Sequence, residues 1–321
     1  MPRIVYLICI SSGACLVMGR SPYLTYIAAI VWGVSLVIGG HFLNGKKLAV
    51  VFGLNLLLLY GLTGSSGLFF TLVFLGMPSF LMGYMLGRQK GYYELQKWGF
   101  VSAVIAVSLF IALAYYNVGE AQLYGMQMEV EKYMQESLVL SGDSSILKLY
   151  EEQGISREEL NNSIAMVARG LVMHLPAFYY LQAMLTVLII LELSAYISRK
   201  KSLPILIKRP FSEEIMPWQF AWGIIVALSL WLWGRDELTA WYYVGSNLLV
   251  ILATVTVYFG LSSLAYRWVN MNPRSKKWIL IIFIILSLAF TLPAIIFIGL
   301  LGLFDSLLDY RKLRSKKEET R

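Results

Sequence analysis

Long apolar runs separated by short polar ones set the pattern of this chain, with nine apolar stretches between Ile4 and Phe304. Each approaches the roughly 20 apolar residues that carry a helix across a hydrocarbon core about 30 Å thick. Inside a bilayer no water bonds the backbone, so stretches of this kind must be helical. The pattern predicts an all-α polytopic membrane protein, with spans at 4–19, 23–43, 48–63, 67–87, 98–117, 168–197, 217–234 and 239–266. The ninth stretch, 278–304, has Pro293 near its middle. Proline lacks an amide hydrogen and breaks a helix interior, so this stretch is expected to form a hairpin of two short arms.

One segment departs from the pattern. Residues 118–167 hold nine Asp and Glu against three Lys and Arg, which marks a polar insert rather than a connection. Leu123, Met126, Val130, Tyr133 and Leu138 recur at roughly helical spacing, and Ser141, Gly142 and Asp143 read as a turn. Ser156 with Glu159 three residues on is a capping-box signal, so a helix is expected to start there and run into the sixth span with a kink at Pro176. The chain thus divides into membrane helices over 1–117, an acidic extracytoplasmic insert over 118–167, further membrane helices over 168–310 and a basic tail over 311–321.

Charge orients this arrangement. Lysine and arginine gather in alternate loops: Lys46 and Lys47; Arg88, Lys90 and Lys97; Arg199 to Arg209; and Arg267 to Lys277. With the N-terminus and the tail on that same side, 21 of the 27 basic residues face one compartment. This is the positive-inside bias, so both termini are expected in the cytoplasm. The net charge of +8 is therefore topogenic, and no basic stripe of the kind that binds nucleic acid is present in the sequence.

Composition adds 58% hydrophobic and 14% charged residues, as a lipid-embedded bundle requires. Catalytic motifs are absent from the sequence: no G-x-S-x-G, no phosphate-binding P-loop and no H-E-x-x-H. The two histidines, His41 and His174, stand near opposite expected membrane faces, and Cys9 and Cys15 lie within the first span as packing residues. No enzyme, cofactor or metal site is expected. Without a P-loop, uphill transport would draw on an ion gradient or a separate subunit.

Polar residues within spans are the remaining candidates, because lipid cannot satisfy them. Asn55, Gln182, Glu192, Asn247 and Thr254, with Thr256, form the candidate ligand-cavity set. Glu192 reads either as a proton or cation site or as an interfacial carboxylate near Arg199 and Lys200. Trp218, Trp222, Trp231, Trp233, Trp241, Tyr242 and Tyr243 read as an interfacial aromatic belt or as a stacking wall for a flat ligand. Small residues every fourth position, Ser11, Cys15 and Gly19 in the first span and Ser79, Gly83 and Gly87 in the fourth, permit close helix approach.

The run GLLGLFDSLLDYRKL, with Gly302, Asp305, Asp309 and Arg311, follows the Pro293 break. Together with Pro78, the Gly87–Arg88 end of the fourth span, the polar insert ahead of Pro176 and the turn at Pro217, it resembles the YybS-like family of predicted bacterial membrane proteins. The membrane core of that family is similar to the substrate-binding components of energy-coupling factor vitamin transporters. The resemblance implies binding or movement of a small molecule, energised by a separate subunit. It supplies no functional residues to carry over; Asp305, Asp309 and Arg311 read as an interfacial charge cluster that fixes the last helix. The rival reading is a non-transporting scaffold of envelope growth, division or sporulation, holding protein partners through its helices and insert.

Overall fold

The computed structural model describes residues 2–140, 156–200, 206–235, 239–272, 276 and 290–313, and the regular elements among them are helices, with no strand. Two compact units divide between Lys208 and Arg209. Six helical segments are long and apolar enough to cross a membrane: Pro22–Phe42, Gly45–Gly87, Tyr92–Ala114, Leu175–Lys200, Ala240–Val269 and Thr291–Leu308. Val5–Arg20 and Gln219–Trp233 are apolar but shorter. Many large side chains on these helices are exposed, as lipid-facing positions are.

The first unit contains α1 (Pro2–Arg20), α2 (Thr25–Phe42), α3 (Gly45–Thr71), a π-turn (Leu72–Gly76), α4 (Met77–Gly87), α5 (Tyr92–Leu140), α6 (Arg157–Met173) and α7 (Leu175–Lys200). The 43-residue apolar run Gly45–Gly87 is two antiparallel arms rather than one rod. Ser12 meets Asn55 and Gly19 meets Leu62, so α1 and the first arm run parallel. Gly33 meets Ser79 and Gly83 meets Leu36, so α2 and α4 also run parallel, while Gly76 meets Phe52 and Gly83 meets Leu48, so the first arm and α4 run in opposite directions. The reversal centres on Gly64, whose φ of 71° lies in the left-handed region that only glycine enters cheaply.

Helix α5 runs unbroken for 49 residues, about 74 Å at 1.5 Å per residue. Its polarity changes beyond Ala114 without a break in the backbone, so the expected start of the insert at 118 is a change of composition within one helix. The turn read at Ser141–Asp143 lies outside the described residues. Ser156 and Glu159 do form a capping box: the Ser156 hydroxyl accepts from the Glu159 amide at 3.2 Å, and the Glu159 carboxylate accepts from the Ser156 amide at 2.8 Å. The helix it starts, α6, packs Ile164, Ala168 and Val172 inward and ends at Met173. The expected span 168–197 is therefore divided between α6 and α7. Pro176 cannot donate to the turn before it, and His174 closes α6 by donating its amide to Gly170 at 3.2 Å.

The second unit comprises a 3-10 turn (Phe211–Glu213), α8 (Gln219–Trp233), α9 (Ala240–Val269) and α10 (Thr291–Leu308). Pro293 sits in the first turn of α10, where its missing amide has no intrahelical partner to lose. Phe290 (φ −131°, ψ 55°) precedes the first turn, and α10 is an 18-residue helix reaching Leu308. The second arm of the expected 278–304 hairpin is thus longer than a short arm, and the first arm falls outside the described residues. α9 and α10 touch backbone to backbone: a Cβ on Gly260 would strike the Ile298 carbonyl oxygen, and one on Gly302 the Thr256 carbonyl oxygen.

Candidate functional site

Small residues position the interior of the first unit. Along α2 and α4 a Cβ added at Gly83 would lie 2.5 Å from the Leu36 carbonyl oxygen, and one at Gly87 2.7 Å from that of Gly40. Ser79 is fully buried, its hydroxyl 2.8 Å from where a Cβ on Gly33 would stand. On α1, Ser11 and Cys15 are buried and Gly19 receives Leu62. Both small-residue sets therefore face neighbouring helices of the same chain.

This close approach encloses a mixed aromatic and polar centre. Trp32 of α2 stacks on Phe52 of α3 (ring centroids 6.0 Å apart), which stacks on Phe80 of α4 (4.8 Å). Gly76 leaves room for the edges of both Trp32 and Phe52. Asn55, one turn beyond Phe52, is 1% exposed and accepts through Oδ1 from the Ser12 hydroxyl at 3.2 Å. Among the described residues, Trp32 Nε1, Asn55 Nδ2 and the Ser79 hydroxyl are buried and have no hydrogen-bond partner. An unsatisfied buried donor costs about 1–3 kcal/mol. The three groups belong to three adjoining helices, α2, α3 and α4, of the first unit.

Glu192 of α7 lies at a different place in this unit. Its Oε1 accepts from the Tyr92 hydroxyl at 2.7 Å and from Lys208 Nζ, and the Lys208 ammonium stands 5.7 Å from the centre of the Tyr92 ring. The carboxylate is 37% exposed and the lysine 11%. Of the two readings of Glu192, this geometry is that of a partly exposed carboxylate matched by a lysine, an arrangement that fastens the chain after α7 to the start of α5. Gln182 is half-buried on α7, and its backbone carbonyl accepts from the Thr186 hydroxyl at 2.8 Å.

In the second unit Asn247 donates to the Tyr243 carbonyl of its own helix at 2.8 Å, and Thr254 is exposed and donates to Val250 at 2.9 Å. The candidate cavity residues are therefore apportioned between the units: Asn55, Gln182 and Glu192 in the first, Asn247 and Thr254 in the second. Trp233 and Trp241 stack at 6.5 Å where α8 turns into α9, both exposed, and Trp231 and Tyr242 lie beside them.

Arg311 is the hub of the second unit. Counted by charge with the basic tail, it is in fact 6% exposed. Its Nε and Nη2 donate to Asp305 Oδ2 at 2.9 and 2.6 Å, Nη1 to the Ser212 carbonyl at 2.6 Å and the Ser262 hydroxyl at 3.0 Å, and Nη2 also to the Glu214 carbonyl at 2.7 Å. The guanidinium thus ties the loop before α8, the last turns of α9 and the end of α10. Asp305 is 2% exposed, and beside this knot the Glu214 carboxylate accepts from the Tyr258 hydroxyl at 2.5 Å. Asp309 ends α10 in the left-handed conformation (φ 45°) and accepts from the Leu313 amide at 3.1 Å. The expected interfacial cluster of Asp305, Asp309 and Arg311 is instead a buried ion pair followed by a helix stop.

Sequence reasoning did not single out Ser12, Trp32, Tyr92, Lys208, Ser212, Glu214, Tyr258 or Ser262. Trp32 reads as one more apolar residue, and the partners of Arg311 other than Asp305 stand 49 to 99 positions away from it. The one signal within reach was Glu214, an acid only three residues ahead of the next apolar helix and its Pro217 turn.

A family model described as "Predicted membrane protein (DUF2232)" matches residues 8–306. No curated protein and no solved structure matches the chain.

Proposed function

We propose that this chain, which belongs to the DUF2232 family of predicted membrane proteins, binds a small molecule within the α1–α4 region of its first unit. The observation that carries this reading is the group of buried, unpartnered donors on Trp32, Asn55 and Ser79 beside the Trp32–Phe52–Phe80 stack. Two N–H groups and a hydroxyl suit a ligand with carbonyl, carboxylate or phosphoryl oxygens, and the rings suit a flat apolar body. In the manner of a transporter substrate-binding component, the protein would hold its ligand in a bacterial inner membrane while a separate subunit supplies energy. No catalytic step belongs to this reading.

The orientation that goes with it has both termini in the cytoplasm. Arg311 grips the Ser212–Glu214 loop, which follows the basic stretch Arg199–Arg209, so the end of α10 shares that loop's side. The positive-inside bias assigns the stretch to the cytoplasm. Labelling of a tag at Arg321 by an impermeant reagent in intact cells would refute this orientation.

Mass spectrometry of small molecules retained by the protein, purified under mild conditions from its host, tests the binding. The expected result is a discrete metabolite that the Asn55→Leu variant does not retain. An Asn55→Leu protein that is more heat-stable than the parent, with both forms empty, would assign the unmet donors to buried water and end the ligand reading.

The scaffold reading is favoured by one observation, the continuation of α5 as a polar helix to Leu140 with α6 packed against it. Stoichiometric recovery of envelope or division proteins in the same purification, lost on deleting residues 118–167, would support it.

A further inference from the structure

A separate feature lies at the end of the first unit where α2 ends, α3 begins and α4 ends. Ile8, Leu43, Lys46, Lys47, Val50 and Val51 line an open groove of about 300 Å³ between α1 and α3. Its lining is apolar apart from the two lysines. Val50 is 62% exposed and begins a stripe with Leu54 and Leu57 along the outer face of α3, so the groove opens directly onto the surface that acyl chains cover.

The charge around this groove is of one sign. Between Met1 and Tyr93 the chain has no Asp or Glu; its first acid, Glu94, pairs with Lys90 at 3.2 Å. Neither Lys46 nor Lys47 forms an ion pair among the described residues, and both are exposed. A third cation belongs to the end of α4, outside the groove lining: a Cβ on Gly45 would lie 2.8 Å from the Tyr84 ring, over which the Arg88 guanidinium sits at 4.6 Å while donating to the Tyr84 hydroxyl. Both lysines belong to the first turn of α3, where Asn44 caps the Lys47 amide at 3.0 Å and the positive end of the helix dipole adds to the field.

We infer that this groove is a binding site for an anionic glycerophospholipid, with the phosphate between Lys46, Lys47 and Arg88 and one acyl chain laid along Ile8, Val50 and Val51. A soluble anion would gain the cations but leave the apolar walls bare. A zwitterionic lipid would fill the groove but bring its own cation to three others. An anionic lipid satisfies both halves of the site, and its second chain remains in the bilayer beside Leu54 and Leu57. A lysine near an anionic headgroup contributes roughly fivefold in affinity, so the pair accounts for about 25-fold.

The test uses the full-length protein in detergent, with phosphatidylglycerol and phosphatidylcholine added in equal amounts and bound lipid read by native mass spectrometry. Phosphatidylglycerol is expected to be retained in preference. Lys46→Gln/Lys47→Gln should reduce its retention about 25-fold, while Lys200→Gln, an exposed lysine elsewhere, should leave it unchanged. Val50→Trp, which fills the groove and keeps every charge, should weaken retention as well. Equal retention of the two lipids, or a double variant no different from Lys200→Gln, would overturn the proposal. So would displacement of the lipid by inorganic phosphate alone, which would assign the cations to a soluble anion.

Discussion

Replacing Arg311 with alanine is expected to destabilise the second unit by about 3–5 kcal/mol, the usual cost of removing one partner from a buried ion pair. The geometry supports a loss of that size. Both side chains are only 3% exposed, and five hydrogen bonds from the guanidinium to Asp305, Ser212, Glu214 and Ser262 vanish together. The carboxylate left behind has one oxygen, Oδ1, that is already buried without a partner. Lysine at this position keeps the charge but offers three donors without the planar fork, so Arg311→Lys should fall between wild type and alanine. The double variant Asp305→Leu/Arg311→Met removes both charges and should lose less than Arg311→Ala, because no ion remains uncompensated. The assay is the temperature at which half of the protein stays monodisperse in detergent by size-exclusion chromatography. A drop of roughly 10–20 °C is expected for Arg311→Ala. An unchanged midpoint for Arg311→Ala, or a double variant at least as unstable, would refute this account of the ion pair.

Gly83→Leu should abolish monodisperse protein and Gly83→Ala should lower the thermal midpoint, since any Cβ there meets the Leu36 carbonyl oxygen at 2.5 Å; normal chromatograms for both would contradict the α2–α4 packing. Maleimide carried in detergent should modify one thiol and spare the other, because Cys9 is exposed and Cys15 is buried; intact-mass analysis showing two equivalents would disprove this. The amide and hydroxyl of Ser156 hold the Glu159 carboxyl below its ordinary value of 4.5, so the capping box stabilises α6 above that pH and is lost as pH falls through the lowered value. Hydrogen exchange of the first turn of α6 should accelerate over that acid range in wild type and be fast already at neutral pH in Ser156→Ala.

How much of this was legible in the sequence depends on the distance over which each interaction acts. Helices were readable because an apolar run declares itself locally, and the Ser156 cap because its two halves lie three residues apart. The reversal within Gly45–Gly87 was indicated by a run too long for one crossing, and Gly64 supplies the conformation that the turn needs. The small residues at Ser79, Gly83 and Gly87 announced a close contact but not that α2 would be its other half. The pairing of Arg311 with Asp305 lay within one short run, but its burial was not legible: composition groups this arginine with Lys312, Arg314, Lys316 and Lys317, while Ser212, Glu214 and Ser262 are brought to it by tertiary folding. The donors on Trp32 and Ser79 were equally invisible, because whether a polar atom is satisfied is decided by neighbours on other helices.

The glycine contacts between α2 and α4 also govern how the first unit can move. Where carbonyl oxygens lie against Cα atoms there are no side chains to change rotamer, and no slack in which one helix can slide past the other. Gly40, Gly83 and Gly87 thus couple α2 and α4 as a single rigid piece. Any opening of the interior around Trp32 and Asn55 must then come from the other wall, the first arm of α3. That arm reaches the rigid piece through the reversal at Gly64, where a Cβ would meet nothing within 4 Å, and through the π-turn Leu72–Gly76. Access to the centre of the unit is therefore a hinge motion about these two points, on a timescale set by backbone rotation at a glycine rather than by repacking of the core.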